Sequence, residues 1–351
     1  MLSDADVRRA RTASQSLHRP AGSPAVDTLV GELLAVQAQD ALAGALALRA
    51  RARGLTLAGV EAARADTSIV RAWGPRGTLH FAASADLPWL IALTGPPRIP
   101  NALRRLAEEK VEGPHEAVEE ALAGQGPLTK EELGERLAKV GVRAHGQGVV
   151  HLAGLAAARG VVLLGPDRGG KPTYVHAADW LGRELVLERD RDRALAELAR
   201  RYLSAHAPAE PADLVAWSGL PLRDARAGWN LIAGELAEVV CGGGRLWRLR
   251  RRPLEPVAGV VRLTPAFDEY LLGWRDRGPV LAEEHAKAVH PGGGVLRATV
   301  VDDGRVTGTW RMRRVKGDTE VTVELFSGGA DDRTGFGEEI ADVKSFLGHL
   351  P

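Results

Sequence analysis

The sequence predicts an α+β chain: three tandem winged helix-turn-helix units followed by a small β-rich domain. Length is the first reason, since 351 residues at roughly 100–200 residues per domain divide into two to four units. The second is an internal repeat. GPLTKEELGERLAKVG…VVHLAGLAAARGVVLLGPDRGGKPTYV reads helix, turn, helix, hairpin. APAEPADLVAWSGLPLRDARAGWNLIAGELAEVVCGGGRLWRL repeats that order, with Pro127 and Leu133 matched by Pro208 and Leu214 at a common offset of 81 residues. The third is a change of pattern after Pro256, where VLRATVVDDGRVTGTWRM and TEVTVELF alternate as strands do and carry DDG and KGD turn signals.

The first unit, residues 1–97, carries helical patterns at 4–18, 24–36, 41–53 and 57–65, then a wing in IVRAWGPRGTLHF. Asp40 is an N-cap for the helix that starts at Ala41, its carboxylate facing the unpaired N–H groups of the first turn. The second unit, 98–180, is entered by a helix at 116–123 and ends in a wing at 161–175. The third, 181–256, has its leading helix at 193–205 and its wing at 236–249. Residues 257–351 form the β-rich domain, closed by a helix at 337–347.

Composition excludes several classes. The chain is 45% hydrophobic and 26% charged, and no apolar run reaches the roughly 20 residues that span a bilayer, so no membrane partner is expected. MLSDADVRRARTASQSLHRP lacks the apolar centre of a secretory signal, which places the protein in the cytoplasm. The lone cysteine, Cys241, builds neither a disulfide framework nor a cysteine zinc site and reads as core. Net charge is only +1, yet 39 of the 46 basic residues are arginine. A GC-rich genome alone yields that bias. Clustering is the better signal: RLWRLRRR places Arg245, Arg248, Arg250, Arg251 and Arg252 within eight residues, and Arg311, Arg313, Arg314 and Lys316 form a second group. Either run reads as a solvated face or as a phosphate contact.

Familiar catalytic motifs fail. GPDRGGKP nearly spells a phosphate-binding loop, but Pro172 stands where the magnesium-binding hydroxyl belongs, and the run falls at a wing tip. The pairs His145/His151 and His285/His290 match no zinc spacing, so no metal is expected. AWSGL around Ser218 is not a nucleophile elbow. What remains is LLAVQAQDALAG, with two glutamines two residues apart. On a helix such residues diverge by about 200°. A turn between helices ending near Val36 and starting at Ala41 brings Gln37 and Gln39 to one side, as a polar turn or as a catalytic pair.

LLAVQAQDA, RAWGPRGTLHF, ARRYLSAHAPAEPADLVAWSGL, LTPAFDEYLLGWRDR and VVDDGRVTGTWR together resemble, over nearly the whole chain, the bacterial winged-helix DNA-binding family that contains the AlkZ and YcaQ DNA glycosylases. The resemblance implies three tandem winged helices, a β-barrel-like C-terminal domain and a concave DNA-binding face. The catalytic signature is Gln-x-Gln in the AlkZ branch and Gln-x-Asp in the YcaQ branch. Gln37-Ala38-Gln39 matches the former, whose members excise bulky N7-alkylguanine adducts or unhook crosslinks left by DNA-alkylating antibiotics. The implied protein is a monomeric, monofunctional glycosylase without a cofactor, acting on double-stranded DNA that carries alkylated purines.

An N7-alkylated guanine is already cationic, so its C1′–N9 bond breaks without a strong acid. Two oriented amide oxygens then suffice to stabilise charge on the sugar and hold a water. In the first wing, Arg71 and Arg76 are the expected phosphate contacts, with Trp73 and His80 as pocket walls. Arg248, Arg250, Arg251, Arg275, Arg313 and Arg314 complete the expected DNA face. In LTPAFDEYLLGWRDR, Phe267, Tyr270, Leu271 and Leu272 suit burial, while Asp268 and Arg275 pair or reach DNA. The competing reading is a non-enzymatic winged-helix DNA-binding protein, either a transcription regulator or an adduct-binding protein, although a simple repressor typically uses a dimer of one such unit.

Overall fold

The computed structural model describes residues 2–20, 22, 24–242, 244–315, 318–326 and 334–348. Lys316 and most of the KGD turn signal lie outside the described residues. The chain starts with α1 (Asp4–Ser14), held by a capping box in which the Ser3 hydroxyl and the Asp6 carboxylate accept reciprocally. α2 (Val26–Glu32) follows, and it stops short of the expected residue 36. Leu34, fully buried, takes a left-handed φ of 77° there and redirects the chain into a short strand, β1 (Val36–Gln37).

α3 (Ala41–Arg49) and α4 (Leu57–Ala65) precede the hairpin β2 (Ile69–Trp73) and β3 (Leu79–Ala83). Next come α5 (Leu87–Thr94), α6 (Ile99–Glu108), α7 (Ala117–Leu122), β4 (Leu128–Thr129), α8 (Lys130–Lys139) and α9 (Gln147–Ala158). The hairpin β5 (Val162–Leu164) and β6 (Thr173–His176) encloses GPDRGGKP in its turn. After α10 (Ala177–Leu181), the order of three helices and a hairpin recurs: α11 (Arg191–His206), α12 (Pro211–Ser218), α13 (Leu222–Leu231), then β7 (Leu236–Cys241) and β8 (Gly244–Leu249).

The first two hairpins are not separate wings. One antiparallel sheet runs in the order β1-β3-β2-β5-β6-β4, joined where Arg71 pairs with Leu164. The third hairpin stands apart as a two-stranded sheet, and its tip docks on the N-terminus through a Leu2–Cys241 bridge. Cys241 is therefore not core: it is half-buried, with its thiol 3.6 Å from the Asp4 carboxylate.

The C-terminal region contains β9 (Val261–Thr264), α14 (Glu269–Leu272), α15 (Ala286–Val289), β10 (Thr299–Asp302), β11 (Arg305–Val315), β12 (Asp318–Leu325) and α16 (Thr334–Leu347). Its strands form an open antiparallel sheet, β12-β11-β10-β9, and not the expected barrel. Even small closed or partly open barrels use about five strands or more; here the inner face is instead covered by other elements. Leu263, Val300 and Trp310 share a core with Leu46 and Phe81 of the first segment and Phe346 of α16. Buried ion pairs tie the same regions: Arg51 to Asp268 at 2.7 Å, and Arg49 to Glu339 at 3.0 Å. Among the described residues, no helix is long and apolar enough to cross a membrane.

Candidate active site

A short strand carries the first of the two glutamines. Gln37 pairs with His80 on β3, and the Ala38 N–H continues the ladder to the Leu79 carbonyl at 2.7 Å. β1 ends at Gln37, which is buried at 8% exposure, while Gln39 follows in a bend and reaches back to β3 through its own side chain. The expected inter-helix turn is corrected in part: Val36 and Gln37 join the sheet edge, where Val36 is buried in the core, and Gln39 and Asp40 remain in a bend before α3. Asp40 does cap α3, accepting from Leu42 and Ala43 at 2.8 and 3.2 Å.

Gln37 belongs to a closed ring of hydrogen bonds. Its backbone N–H donates to Glu269 Oε1 at 2.8 Å, and its side-chain Oε1 accepts from Arg76 Nη2 at 2.8 Å. Arg76 also donates through Nη1 to the Trp217 carbonyl, and Trp217 Nε1 donates to Glu269 Oε2 at 2.8 Å. Three of these segments are entered through non-glycine residues in the left-handed region: Leu34 before Gln37, Arg76 itself at φ 56°, and Phe267 at φ 58° before Glu269. Each such residue costs on the order of 1–3 kcal/mol and persists only where surrounding contacts over-determine it.

Gln39 is exposed, and its Oε1 accepts from the Leu79 N–H at 3.1 Å. Its carbonyl is held by Arg71, which donates to Ala38 O and Gln39 O at 2.8 Å each and to Asp167 at 2.9 Å. Arg71 is only 5% exposed. Both amides have a defined sense. A guanidinium and a backbone N–H only donate, so each glutamine turns its oxygen to the protein and its NH₂ group away.

Electrostatics leave little acid or base here. His80 is buried, with Nδ1 3.0 Å from the Thr78 carbonyl; burial first, then the Arg76 charge, lowers its pKa to about 3 and keeps the ring neutral. Glu269 is pushed up by burial, with Arg76 and its two hydrogen bonds opposing, and Arg76 is pushed down by burial.

Arg76 also forms the wall of a cleft of about 640 Å³ whose lining includes Trp73, Arg98, Asn101, His151 and Gly219. Trp73 stacks on Tyr174 with ring centres 6.4 Å apart and lies under Arg98 at 5.9 Å. Among the described residues, no aspartate or glutamate lines this cleft.

The remaining expected residues lie elsewhere. Arg248 is half-buried and donates to the carbonyls of Leu249 and Arg250 at 3.0 and 3.2 Å. Arg250 and Arg251 are exposed, at the base of the β7–β8 hairpin and not at its tip. Arg275 is exposed and paired with Glu210 at 3.2 Å; Asp268 pairs with Arg51 instead of Arg275. Arg313 pairs across strands with Glu320 at 2.8 Å, and Arg314 is exposed beside it on β11. Sequence reasoning missed Glu269 and Trp217. The available signal was two adjacent acids, Asp268 and Glu269, inside the apolar stretch AFDEYLL, where one carboxylate beyond the Arg51 pair needs buried donors.

The fold and this chain's sequence define an enzyme of the class that cleaves bases from DNA. The chain belongs to the DNA glycosylase AlkZ-like family, whose profile matches residues 30–346. It is 32% identical over 314 residues to an interstrand DNA cross-link repair glycosylase of Streptomyces sahachiroi, covering 84% of each chain. The solved structure of Streptomyces sahachiroi DNA glycosylase AlkZ matches it with a TM-score of 0.78 at 28% identity, across 100% of this chain and 98% of that one.

Proposed function

We propose that this DNA glycosylase hydrolyses the N-glycosidic bond of N7-alkylguanine in duplex DNA and leaves an abasic site, with Gln37 and Gln39 as its catalytic residues. The observation that carries the reading is the pair of oriented amides, each with its oxygen held by a protein donor. His80 is held neutral, and both oxygens of Glu269 are already in hydrogen bonds. Such a site suits a leaving group that is cationic before it arrives. Each glutamine oxygen keeps one lone pair and each NH₂ faces outward, enough to seat a water on the sugar's face and to oppose charge on C1′. Normal guanine, which needs protonation to leave, is spared.

Arg71 serves as a support for the Gln39 segment and not as a phosphate contact, because its charge is buried and committed. His80 likewise supports β3 from within. Trp73 and the cleft beside Arg76 accommodate the substituent on N7, the volume being in the usual range for a small-molecule site. An open cleft of that size suits bulky adducts and crosslinks, in keeping with the name of the Streptomyces relative. Phosphates are met by Arg250, Arg251, Arg275 and Arg314, which are exposed, and the enzyme acts as a monomer.

The test is incubation of purified protein with a duplex carrying one N7-methylguanine, followed by alkaline cleavage. A break at the lesion is expected, and none in undamaged DNA. Binding without cleavage of either this lesion or a bulkier N7 adduct would replace the enzyme by a DNA-binding regulator.

A further inference from the structure

We propose that Glu269 and Arg76 are positioning residues that fix the backbone and the amide of Gln37, an inference that rests on Gln37 being catalytic. The ring joins residues from four distant segments, and Gln37 and Trp217 are each gripped twice, once by backbone and once by side chain. Glu269 is 1% exposed and reaches across 232 residues of sequence to take a backbone N–H that the sheet partner leaves unused.

Stability is a poor reason to keep such a group. Replacing buried charges with well-packed apolar residues is often neutral or stabilising. Neighbouring Asp268 shows the contrast: it pairs with Arg51 at 2.7 Å and caps α14 through the Tyr270 N–H, both structural tasks. Glu269 instead anchors the residue whose amide accepts from Arg76 in the cleft wall. Arg76 completes the arrangement, because a group with donors only admits one orientation of the Gln37 amide. Without it the amide is free to turn over.

The device carries a pH signature. Ionised Glu269 accepts from both Gln37 and Trp217; protonated, it loses one acceptor and its attraction to Arg76. Burial raises its pKa above the ordinary glutamate value, so positioning is intact at neutral pH and fails as pH falls through that raised value. The other groups facing it do not mask this. Asp268 is held by Arg51, Tyr202 is pushed well above its usual range by burial, and His206 stays neutral with a pKa of about 3. Arg11 lies beyond them, over Trp274 at 4.6 Å.

Single-turnover excision of N7-methylguanine is measured from pH 4.5 to 8 for the wild type, Glu269→Gln and Arg76→Met, each variant also in a Gln37→Ala background, alongside thermal melts and affinity for duplex DNA. A misplaced catalytic group costs on the order of 10²-fold. Glu269→Gln is expected to lose about that much in rate, to bind DNA within about twofold of wild type, and to lack the wild-type acid limb. Arg76→Met is expected to slow the wild type strongly and to add almost nothing once Gln37 is alanine. Wild-type rate and profile in a folded Glu269→Gln, with Gln37→Ala impaired, would overturn the positioning role. Should Glu269→Gln not fold, the Arg76 cycle decides alone: additive losses refute the inference. A wild type that excises nothing refutes instead the reading on which it rests.

Discussion

Truncating Gln37 to alanine is the most informative perturbation of the site. It removes the amide but keeps the backbone N–H that donates to Glu269, so β1 and its register with His80 survive. Arg76 loses the acceptor at 2.8 Å and retains the Trp217 carbonyl. A hydrogen-bonded group left without its partner costs about 1–3 kcal/mol of stability, which lowers the melting temperature without unfolding the protein. The kinetic loss is larger. One preorganised dipole removed from a transition state is worth roughly 2.7–4 kcal/mol, or 10²–10³ in rate. Gln39→Ala breaks only the contact to Leu79 N–H at the surface and is expected to cost about 10²-fold with less effect on stability. If both amides serve one water, as proposed, the double variant is expected to lose much less than the product of the two. Gln39→Asp retains activity on the small N7-methyl lesion. The assay is single-turnover release of labelled base, with DNA affinity measured in parallel and expected unchanged, since neither amide meets a phosphate. A folded double alanine variant that excises at the wild-type rate would reduce the motif to a structural strand edge.

Asp268→Ala leaves Arg51 buried and unpaired, so urea denaturation should show a loss of about 3–5 kcal/mol; a loss below about 1 kcal/mol would contradict the burial of that pair. Replacing Arg248, Arg250 and Arg251 by alanine should flatten log K against log salt by roughly 0.9 for each phosphate contact removed, and an unchanged slope would move the DNA face elsewhere. His80 and His206 are neutral in the fold with pKa values near 3, while the unfolded chain takes up protons below the ordinary histidine value. Stability should therefore fall as pH drops from about 6.5 toward 3, by up to about 1.4 kcal/mol per pH unit for each ring. Chemical denaturation of His80→Phe across that range should show a shallower slope; an unchanged slope would mean that His80 is charged in the fold.

Much of the element order was legible because it rests on local pattern. The helix at Leu57–Ala65 and the three hairpins follow from apolar periodicity and turn residues. The site's residues were visible only as a motif, and its geometry was not. LLAV reads as helix by composition, and the strand that ends it is two residues long, below what alternation can signal. Arg71 looked like a phosphate contact because an arginine in a wing is normally solvated; its burial depends on Asp167 and the carbonyls of Ala38 and Gln39, which sequence does not bring together. The open C-terminal sheet was hidden for the same reason: its apolar face is satisfied by Leu46 and Phe81 from the other end of the chain, and not by closing on itself.

The left-handed residues bear on how the site works. Leu34, Arg76 and Phe267 each adopt a backbone conformation that a side chain makes unfavourable, and each lies within three residues of a ring member or is one. Leu34 is anchored in the same core as Tyr202, Trp217 and Tyr270, with Phe267 packed against it. The distortion is thus sustained by aromatic packing near Gln37 and not by loop flexibility. Electrostatic catalysis by neutral amides requires this, since an amide that must reorient during the reaction loses the advantage it holds over water. In the mechanism proposed above, rigidity takes the part that a carboxylate base would otherwise play. The left-handed residues around Gln37 are then the structural counterpart of the catalytic role proposed for it.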